Sequence, residues 1–262
     1  MYDFNYQRAS SIEDAASKHA AADDARYLAG GMTMVPVLKQ RLDQPSDVVD
    51  LGSLGDLTGI SEDGGAIVIG AMTTHHDVAT SDLVKSKIPA LADLAGTIGD
   101  PMVRNRGTIG GSLANNDPAA SYPAAVLGLG ATIQTNKRSI EADDFFTGMF
   151  DTALEEGELI TAVSFPVPEQ AGYKHFPNPA SRFPIVGAFV AKTGGGVRVG
   201  ITGASPCAYR QSSFEDALSG GLDPESLKGI EVSSDGMNSD IHASAEYRAH
   251  LVNVMARRAI GG

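Results

Sequence analysis

Arg104-Asn105-Arg106-Gly107-Thr108-Ile109-Gly110-Gly111-Ser112-Leu113-Ala114-Asn115-Asn116-Asp117-Pro118-Ala119-Ala120 is the stretch on which the reading of this sequence turns. It lies in a longer segment, Gly96 to Pro123, that is rich in Gly, Asn, Asp and Pro and has no clear periodicity. An aperiodic segment of that length in a compact domain predicts an ordered binding loop. Its glycine pair, within Thr108-Ile109-Gly110-Gly111-Ser112, has a counterpart in Ala29-Gly30-Gly31-Met32-Thr33. Each pair lacks side chains where the backbone turns sharply, so successive N–H groups can converge on an anion, with Thr33 or Ser112 adding a hydroxyl. Thr33 also opens a predicted helix, whose first amides and dipole favour phosphate. A tight turn explains either pair alone; two on separate segments point to a dinucleotide.

Outward from this stretch the chain mixes strands and helices. Tyr2, Phe4 and Tyr6 alternate with the period of a half-buried strand. Ser10-Ser11-Ile12-Glu13 has the pattern of a capping box, and Ile12, Ala15, Ala16, His19 and Ala20 fall on one helical face. A strand at Arg26 to Ala29 runs into Gly30-Gly31, a second helix spans Thr33 to Leu42 with Pro36 near its first turn, and Pro45 to Leu51 is another strand. Residues 1–55 thus form a βαβαβ-like unit. In residues 56–170, strands are predicted at 66–69, 131–134 and 159–165, and helices start near Thr74 and Ser81. Pro166-Val167-Pro168 with Gly172 makes a linker. In residues 171–262, strands at 185–190 and 197–202 flank Gly194-Gly195-Gly196, and a final helix puts Tyr247, Leu251 and Val254 on one face with Arg257 and Arg258 at its end. The fold class is α+β throughout.

Composition removes several functions. The 262 residues carry 20 Lys+Arg against 32 Asp+Glu, a formal charge of −12, which argues against nucleic-acid binding because such affinity rests on cationic contacts to phosphates. Hydrophobic residues at 42% and charged residues at 20% describe a folded globular chain. No apolar run approaches the roughly 20 residues of a membrane span, and Met1-Tyr2-Asp3-Phe4 does not open a leader sequence, so a cytoplasmic location is expected. Cys207, the single cysteine, cannot form an internal disulfide or by itself hold an iron–sulfur cluster or structural zinc. Electrons crossing this chain therefore need an organic cofactor. Rossmann, P-loop, nucleophile-elbow and zincin motifs are missing.

The 104–120 stretch, together with Leu28-Ala29-Gly30-Gly31-Met32-Thr33 through Leu38-Lys39 and Ala243-Ser244-Ala245-Glu246-Tyr247-Arg248-Ala249-His250-Leu251, resembles the FAD-binding middle subunit of molybdenum hydroxylases, the carbon monoxide dehydrogenase and xanthine dehydrogenase group. The likeness covers essentially the whole chain. It implies a two-lobed FAD-binding region of the PCMH type, residues 1–55 and 56–170, followed by a C-terminal α+β domain of the CO dehydrogenase flavoprotein type, residues 171–262. It implies that Ala29, Gly30, Gly31, Met32 and Thr33, with Thr108, Ile109, Gly110, Gly111 and Ser112, hold the FAD pyrophosphate. Asn115 and Asp117 would lie near the ADP portion, where a carboxylate accepts from ribose hydroxyls. Tyr173-Lys174-His175-Phe176 and Ser181-Arg182-Phe183-Pro184-Ile185 resemble the family's segment near the isoalloxazine. There Phe183, at a position that relatives can fill with tyrosine, is either a stacking aromatic or a buried strand residue. The sequence departs from the family at Ser112, often Asn or Asp, at Asn116, commonly a small residue, and at Ser121, frequently Asp.

The resemblance further implies a large molybdopterin subunit that oxidises substrate, a small subunit with two [2Fe-2S] clusters, and a dimer of heterotrimers. This chain's FAD would pass electrons to an acceptor, and the single cysteine agrees with that division of labour. No catalytic side chain and no metal ligand is assigned. A self-contained flavin oxidoreductase and a scaffold with a vestigial flavin site are the competing readings; the former needs an acid or base beside the flavin, and no His or Tyr stands out for it. Capping or surface roles suffice for His75 and His76, which as helix neighbours do not face each other. Asp143-Asp144 and Glu155-Glu156 are expected as solvated charge, Lys39 on a helix surface, and Arg104 and Arg106 against a phosphate or a partner.

Overall fold

The computed structural model describes residues 1–261. At the N-terminus β1 (Asn5–Arg8), β2 (Ala25–Leu28) and β3 (Asp47–Asp50) pair in parallel with β3 central. Parallel pairing requires crossovers, which α1 (Ile12–Ala21) and α2 (Met34–Lys39) provide. The cap of α1 sits one residue later than the sequence pattern implied. Ser11 Oγ accepts from the Asp14 amide while the Asp14 carboxylate accepts from the Ser10 amide and hydroxyl. The N-terminal aromatics are not a buried face: the strand starts at Asn5, Tyr2 and Tyr6 are exposed, and the Tyr6 hydroxyl donates to Asp50. Val48 and Val49 of the central strand supply the burial instead. Helix α2 ends before the expected Leu42, because Arg41 turns to φ 61° and leaves Leu42 exposed.

The next strands, β4 (Ile60–Asp63), β5 (Ala66–Gly70), β6 (Thr132–Thr135), β7 (Ser139–Glu141) and, beyond the small hairpin β8 (Phe146–Gly148) and β9 (Asp151–Thr152), β10 (Ile160–Pro166), include a five-stranded antiparallel sheet ordered β4-β5-β10-β6-β7. Thr74 and Ser81 cap α3 (His75–Thr80) and α4 (Asp82–Lys87) through their hydroxyls, as the sequence led us to expect. The 96–123 segment is not a long loop. It holds the end of α5 (Pro89–Gly96), then α6 (Pro101–Arg104), α7 (Ile109–Asn115) and the start of α8 (Tyr122–Leu129), and the short α9 (Ala142–Phe145) follows β7. Asp100 and Thr108 cap the middle two, and α8 is buried along its whole length, so no amphipathic period exists to be read.

The C-terminal sheet runs β11 (Gln170–Pro177), β12 (Pro184–Thr193), β13 (Gly196–Thr202) and β14 (Tyr209–Arg210), antiparallel and in chain order. Helix α10 (Ser212–Ala217) follows, then α11 (Ala245–Gly261). Phe189 and Tyr173 join the core of the five-stranded sheet, while Val186, Val190 and Ile201 pack with Val252 and Met255 of α11. Strand β12 is therefore covered on both faces. Gly172, expected in a linker, lies within β11 under α11, where a Cβ would fall 1.8 Å from the Ala259 carbonyl oxygen. Of the expected face of α11, Leu251 is buried and Val254 packs against the core, joined by Arg248, Val252, Met255 and Ala259, but Tyr247 is exposed with its ring edge-on to Phe176.

Candidate functional site

A cavity of about 760 Å³ opens between the three larger sheets. The loop after β2, the helix α7 with the residues that follow it, and the turn before β12 form its walls. Ala29, Gly30, Gly31, Met32, Thr33, Thr108, Gly110, Gly111, Ser112, Asn115, Asp117 and Phe183 all line it. Ile109 does not: its side chain is fully buried in the adjacent core and its amide donates to Thr73 O at 3.1 Å.

The two glycine loops meet backbone to backbone. A Cβ on Gly30 would lie 1.9 Å from Arg106 O, and one on Gly111 would lie 3.6 Å from Ala29 Cβ. They are nevertheless unlike in hydrogen bonding, which corrects the expectation that both present free amides. In the second, Gly110 N donates to Ala71 O at 2.8 Å, Gly111 N to Thr108 Oγ1 at 3.2 Å and Ser112 N to Thr108 O at 3.0 Å. The start of α7 is thus satisfied by protein, and this loop gives a side-chain-free wall. In the first, among the described residues, the amides of Gly30, Gly31, Met32, Thr33 and Met34 have no protein acceptor. Gly31 stands at φ +75°, the turn that sets these amides in succession, and the Thr33 hydroxyl makes no cap. Consecutive free donors of this kind form an anion cradle without any lysine.

Asp117 accepts from the Ala119 amide at 2.8 Å with Oδ1, and no protein group donates to its Oδ2 among the described residues. Asn116, between two cavity residues, points away. It ends α7 at φ 40°, and its Nδ2 donates to Gly148 O at 2.9 Å and Asp151 O at 2.7 Å, so asparagine here serves a left-handed cap and the β8–β9 hairpin. Ser112 and Ser121 both face the cavity.

Phe183 is 48% exposed on the rim, outside β12, which overturns the buried-strand alternative. Its turn is closed by Asn178, whose Oδ1 accepts from the Ala180 and Ser181 amides, and Arg182 at φ 65° donates through its backbone to Asn178 O. Tyr173, Lys174, His175 and Phe176 do not reach the cavity; Tyr173 packs on Phe189 in the core, their centroids 6.2 Å apart. Arg104 holds the Ile98 and Gly99 carbonyls at 3.0 and 2.9 Å, Arg106 and Lys39 are exposed, and Asp143 and Glu155 make surface ion pairs.

Sequence reasoning missed His75. It is 5% exposed, lines the cavity and lies 5.4 Å from the Tyr122 ring, so it is no surface residue. Thr74, read as a helix start, was the available signal, since it fixes residue 75 in the first turn.

Also on the wall, Tyr27 donates to Gly157 O at 3.0 Å, and burial raises its hydroxyl to about 12. Beside it Glu158 lines the cavity and is buried. Burial alone would raise its pKa, but Arg138, the Glu155 amide and the Thr135 hydroxyl prevail and hold it at about 2, below its ordinary 4.5. This stabilisation is complete above the unfolded value and is lost as pH falls from about 4.5 through about 2. Glu158→Gln is expected to lower unfolding free energy at neutral pH by on the order of 2 kcal/mol and to flatten the loss between pH 5 and 2, as urea titrations would measure.

Among the described residues no helix is long and apolar enough to cross a membrane, and no group of three His, Cys, Asp or Glu is placed to hold a metal. The family described as FAD binding domain in molybdopterin dehydrogenase matches residues 2–168. The carbon monoxide dehydrogenase medium chain of Afipia carboxidovorans is 35% identical, over 98% of this chain and 95% of its own. The nicotine 6-hydroxylase medium subunit of Paenarthrobacter nicotinovorans is 37% identical, over 97% and 95%. The solved structure of reconstituted CO dehydrogenase from Oligotropha carboxidovorans superposes with a TM-score of 0.90 at 34% identity, over 99% of this chain and 97% of that one. With free amides on one glycine loop, a bare wall on the other and these likenesses along its length, the chain belongs to the FAD-binding family of the molybdopterin-dependent dehydrogenases, as an oxidoreductase flavoprotein.

Proposed function

We propose that this chain is the FAD-binding electron-transfer subunit of a heterotrimeric molybdenum hydroxylase. It takes electrons from the [2Fe-2S] clusters of a small subunit and passes them to an external acceptor, while substrate is oxidised on a large molybdopterin subunit. The observation that carries the reading is the run of unpartnered amides from Gly30 to Met34 opening on a cavity large enough for a dinucleotide. The residues present fit FAD. The amides and the Thr33 hydroxyl would hold the diphosphate, Ser112 and Asn115 extend that wall, and the free Asp117 oxygen suits ribose hydroxyls. Phe183 offers an aromatic face on the rim. Bound FAD would accept electrons one at a time and release them singly or in pairs. The protein's own residues bind and orient it; Cys207 alone cannot supply cluster ligands, which supports a reading with the clusters on a partner chain.

The proposal includes residues 1–55 and 56–170 as the two lobes of the FAD-binding unit, residues 171–262 as the C-terminal domain, and a cytoplasmic dimer of heterotrimers. Absorption spectroscopy of the purified chain during titration with FAD and with FMN tests it, followed by co-expression with the two partner subunits. Selective FAD binding, no turnover of small substrates by the chain alone, and recovery of all three chains together are the expected results. A complex that stays free of flavin, or a lone chain that oxidises its own substrate, would overturn it.

A further inference from the structure

We propose that His75 is a cofactor-binding residue whose imidazole Nε2 hydrogen-bonds the flavin-bearing half of FAD, an inference that rests on the FAD reading above. The ring's position is built rather than incidental. The His75 amide donates to Gly107 O at 2.9 Å, and Thr74 Oγ1 accepts from the Asp77 amide, which fixes the first turn of α3. Gly107 leaves room for the ring, since a Cβ there would lie 2.6 Å from Nε2. On its other side Gly107 meets the amide loop, where a Cβ on Gly30 would come within 2.9 Å of the Gly107 Cα. The imidazole is therefore one backbone layer from the proposed phosphate cradle.

Among the described residues neither ring nitrogen has a protein partner. Nδ1 is buried and unpaired, and no hydrogen bond is formed by Nε2, on the edge that meets Gly107. An imidazole is costly to bury without a partner, and phenylalanine or leucine would fill an apolar gap better. Burial first, and the Arg104 charge second, bring its pKa to about 4, so at neutral pH the ring offers one N–H donor and one acceptor. The direction along the cavity follows from its neighbours. Val103, Ile98 and Gly99 line the same wall, and Arg182 donates to Gly99 O at 3.3 Å, next to Phe183. That bond ties the wall beside His75 to the Phe183 turn, so His75 stands on the Phe183 side of the cradle.

Calorimetric titration of the cofactor-free chain with FAD and with ADP, for wild type, His75→Phe and His75→Gln, tests this. His75→Phe should weaken FAD binding about tenfold, the loss of one hydrogen bond, and leave ADP binding unchanged, while His75→Gln should recover most of the loss. The His75 imidazole ¹⁵N resonances should shift with FAD and not with ADP. Unchanged FAD affinity in His75→Phe, or equal losses for FAD and ADP, overturns the assignment while the FAD reading stands. A chain that binds neither ligand, alone or in the complex, overturns both.

Discussion

Gly30→Ala is expected to reduce FAD binding by more than about 100-fold while leaving a folded chain. The added Cβ would lie 1.9 Å from Arg106 O and 2.7 Å from its carbonyl carbon, and both are backbone atoms that no rotamer change can move. Either the 30–34 loop swings outward or the 106–107 backbone retreats, and each movement disperses the five free amides that the loop holds in succession. Anion recognition by amides depends on all of them converging, so the loss should exceed that of any single hydrogen bond. Val49 and Leu57, which hold the N-terminal core, are packed elsewhere. Gly194→Ala, with nothing within 4 Å, is the matched control. Flavin content after gel filtration and the thermal unfolding midpoint are the two readouts. A folded Gly30→Ala chain with full flavin content would remove the loop from the site.

Arg248→Met should cost about 3 kcal/mol of stability, within the range for removing one member of a buried charged network. The guanidinium is 5% exposed and donates to Ile185 O at 2.7 Å, Gly203 O at 2.9 Å and the Asp240 carboxylate at 2.7 Å. Methionine fills much of the volume but leaves two carbonyls without donors, while the half-exposed Asp240 returns to water. The cavity should loosen as well. Gly203 N donates to Pro118 O at 2.8 Å and Thr202 Oγ1 to Ala120 O at 2.6 Å, so the segment after Asp117 hangs on the loop that Arg248 holds. Ile185 follows Phe183 and Pro184 of the rim. Urea unfolding should show the loss, with a weaker FAD affinity beside it, and Asp240→Asn should have a much smaller effect. A loss below about 1 kcal/mol would mean that the network adds little.

What the sequence made legible was local chemistry. Thr74 and Ser81 cap their helices because a hydroxyl reaches an amide three residues on, and the β12–β13 hairpin turns at its glycines. Helices α6 and α7 were hidden because four and seven residues are too short for a period to emerge, and because Ile109-Gly110-Gly111 has weak helix propensity overridden by packing. Both glycine pairs were visible as motifs. Which pair keeps its amides free was not, since the Gly110 and Ile109 amides are taken by Ala71 and Thr73, distant in sequence, while Thr108 takes those of Gly111 and Ser112. His75 escaped notice for a similar reason: what makes its place is a missing side chain at Gly107.

The cavity draws its walls from residues as far apart as His19 and Pro184. The N-terminal βαβ unit can form from near neighbours, but β10 must find β5 across most of the second sheet, and the 182–184 turn comes later still in the chain. Pairings of such separation form slowly. Cofactor loading is thus expected late in folding, after long-range closure. Yellow colour, measured during refolding, would report completion of the whole chain, and damage near its C-terminus would be seen first as delayed colour.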